Sequence, residues 1–101
     1  MTNWKLVNAE EMGFNYAHSF TIPSESIRNS LKPGDYAKLI FQPANNKLPQ
    51  DKPVAERMWV IVKKITKNGY EGTLDNDPQG IIGLLAGDSV IFNKQHIIDV
   101  Q

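Results

Sequence analysis

Glu56-Arg57-Met58-Trp59-Val60-Ile61-Val62-Lys63-Lys64-Ile65 is the stretch on which the fold turns. In an extended chain Met58, Val60 and Val62 point one way and Trp59, Ile61 and Ile65 the other. The middle is therefore apolar on both faces, and the segment reads as a central strand. Directly after it, Lys67-Asn68-Gly69-Tyr70 carries Asn-Gly, the strongest short-range hairpin signal, because both residues tolerate the positive φ of a tight primed turn. The chain should return through Tyr70-Glu71-Gly72-Thr73-Leu74 as an antiparallel partner, which Asp75-Asn76-Asp77-Pro78 ends.

On either side of this hairpin one phrase is used twice: Leu31-Lys32-Pro33-Gly34-Asp35 before Tyr36 to Phe41, and Leu85-Ala86-Gly87-Asp88 before Ser89 to Phe92. Glycine supplies a sharp turn and aspartate can bond its own backbone, so each copy reads as a corner that launches a strand. Farther out, Phe20-Thr21-Ile22 alternates as a short strand would, and His96-Ile97-Ile98-Asp99-Val100 reads as a closing strand. Ala9-Glu10-Glu11-Met12 favours helix, but Gly13 shortens it. Ser24 is an N-cap candidate for a helix from about Glu25 to Leu31, with Ile27 and Leu31 on one stripe and Glu25 at its positive end. Gln79 to Leu85 has room for one or two helical turns. The stretch from Pro43 to Pro53 holds three prolines and cannot join a central ladder, so it is a long loop, open to reading as a connector or a binding edge. The inventory predicts an α+β fold, a small strongly bent antiparallel β-sheet or partly open barrel of five or six strands with one or two short helices, forming a single domain over 1–101.

Composition narrows the function classes. The 101 residues carry 11 Lys+Arg against 11 Asp+Glu, so no global field favours nucleic acid or an anionic membrane. With 41% hydrophobic and 22% charged residues the chain has the makeup of a globular protein. Its apolar runs fall far short of a membrane span, and the first residues lack a secretory pattern, so the expected location is the cytoplasm. There are no cysteines, which removes disulfides, thiolate metal sites and cysteine nucleophiles.

Chemistry-bearing patterns are sparse. His18 and His96 have no metal-ligand spacing, and no nucleophile elbow, phosphate loop or dinucleotide fingerprint occurs. Asp75-Asn76-Asp77 opens like a calcium loop and Gly80 falls at its sixth position, but Ala86 stands at the twelfth where a bidentate glutamate is required. The hairpin brings Glu56, Arg57 and Trp59 toward Asp75, Asn76 and Asp77, an aromatic platform with charged neighbours. That cluster is the candidate binding site, and a structural ion pair at a sheet edge has the same composition. Lys38, Lys63, Lys64, Lys67 and Tyr70 form a possible strand-face patch for single-stranded nucleic acid. The equally plain alternative is solubilising lysines.

With Phe20-Thr21-Ile22-Pro23, Gly34 to Phe41, Glu56-Arg57-Met58-Trp59-Val60, Gly72-Thr73-Leu74-Asp75-Asn76-Asp77-Pro78, Gly87-Asp88-Ser89-Val90 and Ile97-Ile98-Asp99 in view, the chain resembles the YegJ-like family, as a distant relative. These are small bacterial proteins with a domain of unknown function. The family pattern runs from an acidic residue and Met-Trp-Val, through Gly-x-Leu-x-Asn-x-Pro and Gly-Asp-x-Val, to a terminal Ile-x-Asp. The match covers the C-terminal half well and the N-terminal third loosely; Arg57 stands where the pattern has histidine and Val100 where it has tryptophan. The resemblance implies a bacterial cytoplasmic protein with a compact α+β fold and brings no activity with it. The expected function is a non-enzymatic protein-binding module, with an immunity-type toxin blocker as one variant. No cofactor, metal or membrane is expected, and another protein is the expected partner. The alternatives are a single-stranded nucleic-acid reader and a small enzyme using His96 or Glu56 as acid/base.

Overall fold

The computed structural model describes residues 4–15, 21–44 and 55–101, with 13–15 by backbone alone. The strands are β1 (Trp4–Leu6), β2 (Tyr36–Pro43), β3 (Glu56–Thr66), β4 (Gly69–Leu74), β5 (Ser89–Phe92) and β6 (Ile97–Val100). Two short helices, α1 (Ala9–Asn15) and α2 (Glu25–Arg28), and a 3-10 turn over Lys94–His96 complete the fold. The antiparallel sheet runs β1-β2-β3-β4-β5, and β6 also pairs with β2. It is a curled half-barrel, as the strand inventory predicts. His18, Phe20 and most of the proline-rich loop lie outside the described residues.

Alternation places the core inside the curl. Ala37, Leu39 and Phe41 from β2, Met58, Val60 and Val62 from β3, Tyr70 and Leu74 from β4, Val90 and Phe92 from β5 and Ile97 from β6 share one cluster, which Leu31, Ile81 and Leu84 close from the ends. Each such large apolar side chain contributes about 1.5–3 kcal/mol by leaving water. A second, smaller cluster of Ala9, Ile40 and Ile98, joined by Val7, Met12 and Ile22, packs α1 against the outer side of β2 and β6.

The two Gly-Asp corners are the same structure built twice. In the first, Asp35 N–H donates to Lys32 O (2.9 Å) and Gly34 has φ 99°; in the second, Asp88 N–H donates to Leu85 O (3.0 Å) and Gly87 has φ 91°. Positive φ at the third residue makes both type II turns. The aspartate carboxylate closes each turn, accepting from Lys32 N–H (2.8 Å) and Leu85 N–H (2.9 Å). Both corners then dock as glycine-first β-bulges: Gly34 N–H donates to Val62 O and Val62 N–H to Asp35 O, while Gly87 N–H donates to Leu74 O and Leu74 N–H to Asp88 O. The register continues in step, with Tyr36 opposite Ile61 and Lys38 opposite Trp59 in one copy, and Ser89 opposite Thr73 and Ile91 opposite Glu71 in the other. A pseudo-two-fold axis between β3 and β4 therefore maps β2 onto β5.

Local departures from the sequence expectations have physical causes. The hairpin forms, but its two turn residues are Lys67 and Asn68, neither with positive φ; Gly69 already pairs with Thr66. Gly69 answers instead to crowding, because a Cβ there would lie 2.5 Å from Phe92 O. Gln79 to Leu85 makes turns rather than helix, sending Ile81 and Leu84 inward and leaving Ile82 84% and Leu85 69% exposed. Ser24 caps α2, its Oγ accepting from Ile27 N–H (3.3 Å), but α2 ends at Arg28 and Ile27 faces outward. The residue it buries is Arg28, whose Nε donates to Pro23 O (2.8 Å) and whose Nη1 donates to Glu10 (2.6 Å) and Lys94 O (3.1 Å). Tyr70 Oη donates to Arg28 O (2.7 Å) from the core, and so α2 is fixed to the inside of the sheet. Thr21 and Ile22 are not strand, whereas β1, too short to announce itself, is.

Candidate binding site

Trp59 takes its place from strand alternation. Met58 and Val60 fill the core, so Trp59 projects to the outer face, where it is half-buried rather than sealed. Antiparallel pairing sets Lys38 opposite Trp59 and Tyr36 opposite Ile61 on β2, and Asp99 of β6 lies on the far side of Lys38. The Tyr36 ring meets the indole edge-on, with centroids 6.4 Å apart at 84°, and Lys38 Nζ stands 5.4 Å from the indole centroid. A cation at that distance, on a residue that is only partly buried, is worth about 0.5–1 kcal/mol. Arg57, exposed, is two residues from Trp59 on the same face. The apolar packing of α1 covers this side of the sheet at Ile40 and Ile98.

The acidic bend does meet β3, through the backbone. Asp75 N–H donates to Trp59 O (2.9 Å), and Trp59 N–H donates to Asn76 Oδ1 (2.5 Å). The Asn76 side chain thus stands in for the next carbonyl of the β4 ladder. Glu56 accepts from Gln79 N–H (2.6 Å) and Gly80 N–H (3.0 Å), clamping the loop beyond Pro78. Of the six residues expected at the site, Glu56 and Asn76 hold the bend in place, and Arg57 and Trp59 present side chains on the outer face. Asp75 and Asp77 are exposed, and Asp77 O accepts from Gln79 Nε2 (3.3 Å). Tyr36 and Lys38 are the neighbours that only the strand register reveals.

Other candidates are placed elsewhere. Tyr70 lies in the core, stacked on Phe92 with centroids 5.3 Å apart, so it is no part of a surface patch, while Lys63, Lys64 and Lys67 are exposed. His96 Nδ1 accepts from Asn93 N–H (2.9 Å), capping the 3-10 turn, and burial holds its pKa below the ordinary imidazole value. Strand β2 separates β6, which His96 precedes, from Glu56 on β3. Among the described residues no three His, Asp or Glu gather to hold a metal, and no helix is long and apolar enough to cross a membrane. A concavity of about 360 Å³ lies at the hairpin tip, lined by Asn29, Thr66, Asn68, Gly69, Asn93 and Gln95 among others, away from Trp59.

The pseudo-two-fold sharpens the contrast between the faces. Inside, equivalent positions are apolar in both copies, Leu39 with Phe92 and Val62 with Leu74. Outside, Tyr36, Lys38, Trp59 and Ile61 correspond to Ser89, Ile91, Glu71 and Thr73. The aromatic platform belongs to one half alone. No family model, curated protein or solved structure matches the chain.

Proposed function

We propose that this chain is a non-enzymatic interaction module that binds another protein through the outer face of β2 and β3, with Trp59 at the centre. The carrying observation is a half-exposed indole on that face, steadied by Tyr36 and Lys38 and flanked by Arg57. Tryptophan, tyrosine and arginine are the residue types that dominate interface hot spots, and an open sheet face suits a macromolecular surface better than a small substrate. The resemblance to YegJ-like proteins supports placing it in the bacterial cytoplasm, and an immunity-type role, blocking a toxin by surface complementarity, needs nothing beyond such a face. The catalytic alternative draws no support from the contacts of His96 and Glu56, each of which is engaged by backbone donors.

The test is capture from bacterial lysate on immobilised wild type, Trp59→Ala and Lys67→Ala. A protein retained by wild type and Lys67→Ala but lost with Trp59→Ala is the expected result; equal retention by all three, or by none, refutes the reading. Lys38 over the indole also favours a second reading, a single-strand nucleic-acid reader. That reading requires oligonucleotide binding that weakens steeply with salt.

A further inference from the structure

The sheet ends at β5, whose only strand partner among the described residues is β4. Antiparallel pairing alternates the direction of the backbone groups. Because Asp88 O faces Leu74, the N–H and C=O of Ser89 and Ile91 point away from β4. The equivalent residue in the other copy of the motif shows what such an edge accepts: Tyr36 exchanges both of its bonds with Gln101, Tyr36 N–H to Gln101 O (2.7 Å) and Gln101 N–H to Tyr36 O (2.9 Å). Among the described residues, no strand takes beside β5 the place that β6 takes beside β2.

We propose that β5 pairs with β5 of a second copy of this chain, in antiparallel register about a two-fold axis at Val90. The edge is self-complementary: with Val90 facing its own copy, Ser89 lies opposite Ile91 of the other chain, and all the outward groups of both residues are satisfied at once. Its own residues carry none of the side chains that keep edges apart. β5 is Ser-Val-Ile-Phe, without lysine, proline or any charge, whereas β1 carries Lys5 and β6 carries Asp99. Apolar side chains stand beside this edge: Ile91 is 69% exposed, and Ile82 and Leu85 stand out from the loop that leads into it. The pairing is short, so the dimer is weak and reversible. It leaves the Trp59 face free and does not rest on the function proposed above.

Light scattering from micromolar to millimolar concentration should show the mass rising from 11.4 kDa toward twice that value. Over the same range, hydrogen exchange at the Ser89 and Ile91 amides should slow, while Val90 and Phe92, bonded to β4, stay protected throughout. Ile91→Pro removes an outward N–H that β4 does not use and should hold the protein monomeric; Ile91→Lys does the same by edge charge with the backbone intact. A constant monomer mass, or a dimer that survives in a folded Ile91→Lys variant with Ser89 exchange still concentration-dependent, overturns the proposal. Trp59→Ala should leave the mass curve unchanged, which separates this result from the fate of the binding face.

Discussion

Replacing Gly34 or Gly87 by alanine tests the duplicated corner directly. A Cβ at either position meets nothing within 4 Å, so the change has no packing component. What remains is backbone: φ of 99° and 91° is territory an L side chain avoids at about 1–2 kcal/mol, offset by about 0.4–1 kcal/mol from the narrower unfolded ensemble of alanine. The net expectation is a loss of about 0.5–1.5 kcal/mol at each corner, equal at both within error, and nearly additive because the corners share no partner. In a domain of this size each kcal/mol lowers the thermal midpoint by about 4–8 °C. Gly80 is the control: its φ is ordinary and its Cβ also meets nothing, so Gly80→Ala should be neutral or slightly stabilising. Gly72 is the opposite extreme, since a Cβ there lies 2.2 Å from Ile61 O and 2.7 Å from Val60 Cγ1, and alanine should cost more than about 1–3 kcal/mol. Urea unfolding monitored by tryptophan fluorescence measures all four. Equal effects at Gly34 and Gly80, or corners that differ by more than about 1 kcal/mol, would refute the claim that the two turns are one device.

Met58→Ala and Trp59→Ala, adjacent but on opposite faces, should separate folding from binding: the first costs about 2–5 kcal/mol of stability, the second removes partner capture with a much smaller loss. Arg28→Met strands Glu10, Pro23 O and Lys94 O and should cost about 2–4 kcal/mol in urea unfolding, with faster amide exchange in α1. Asn76→Ala leaves Trp59 N–H without its acceptor and should cost about 1–2 kcal/mol, largely restored by Asn76→Asp. On acidification, His96 should weaken the fold. Its folded pKa lies below the unfolded one, so the unfolded chain takes up the proton first, and stability held above about pH 6.5 falls as pH drops toward the folded value. Stability curves against pH should show this step in wild type and not in His96→Gln. At lower pH a second decline should come from Glu25, whose carboxyl Lys94 holds below the ordinary range and whose contribution disappears as it is protonated.

What could be read from residues alone was whatever a local pattern over-determines. The β3 segment, apolar on both faces, had to be central, and the Gly-Asp phrases had to be corners, because turn chemistry and strand onset coincide there. The turn at the hairpin tip was displaced by one residue, since Gly69 answers to the approach of Phe92 O, a partner distant in sequence. Helical spacing in Gln79 to Leu85 proved deceptive: Ile81 and Leu84 reach the core through turns that Gly83, at φ 87°, helps to make. At the candidate site, the outward position of Trp59 follows from period two. Its company does not, because Tyr36 and Lys38 are brought to it by register, and Glu56 and Asn76 are drawn away by backbone donors no pattern announces.

The sharing of one β2 edge by β1 and β6 bears on how the chain reaches its native state. The β3–β4 ribbon closes over a two-residue turn, but Leu39 must wait for Ile97, far along the chain, before that edge is sealed. Loop closure over such a separation is slow relative to hairpin formation, so nucleation at the ribbon and late capture of β6 form the expected order of events. Until capture, β2 offers a bare apolar margin to any other chain, and crowded refolding should lose material to aggregation at that step.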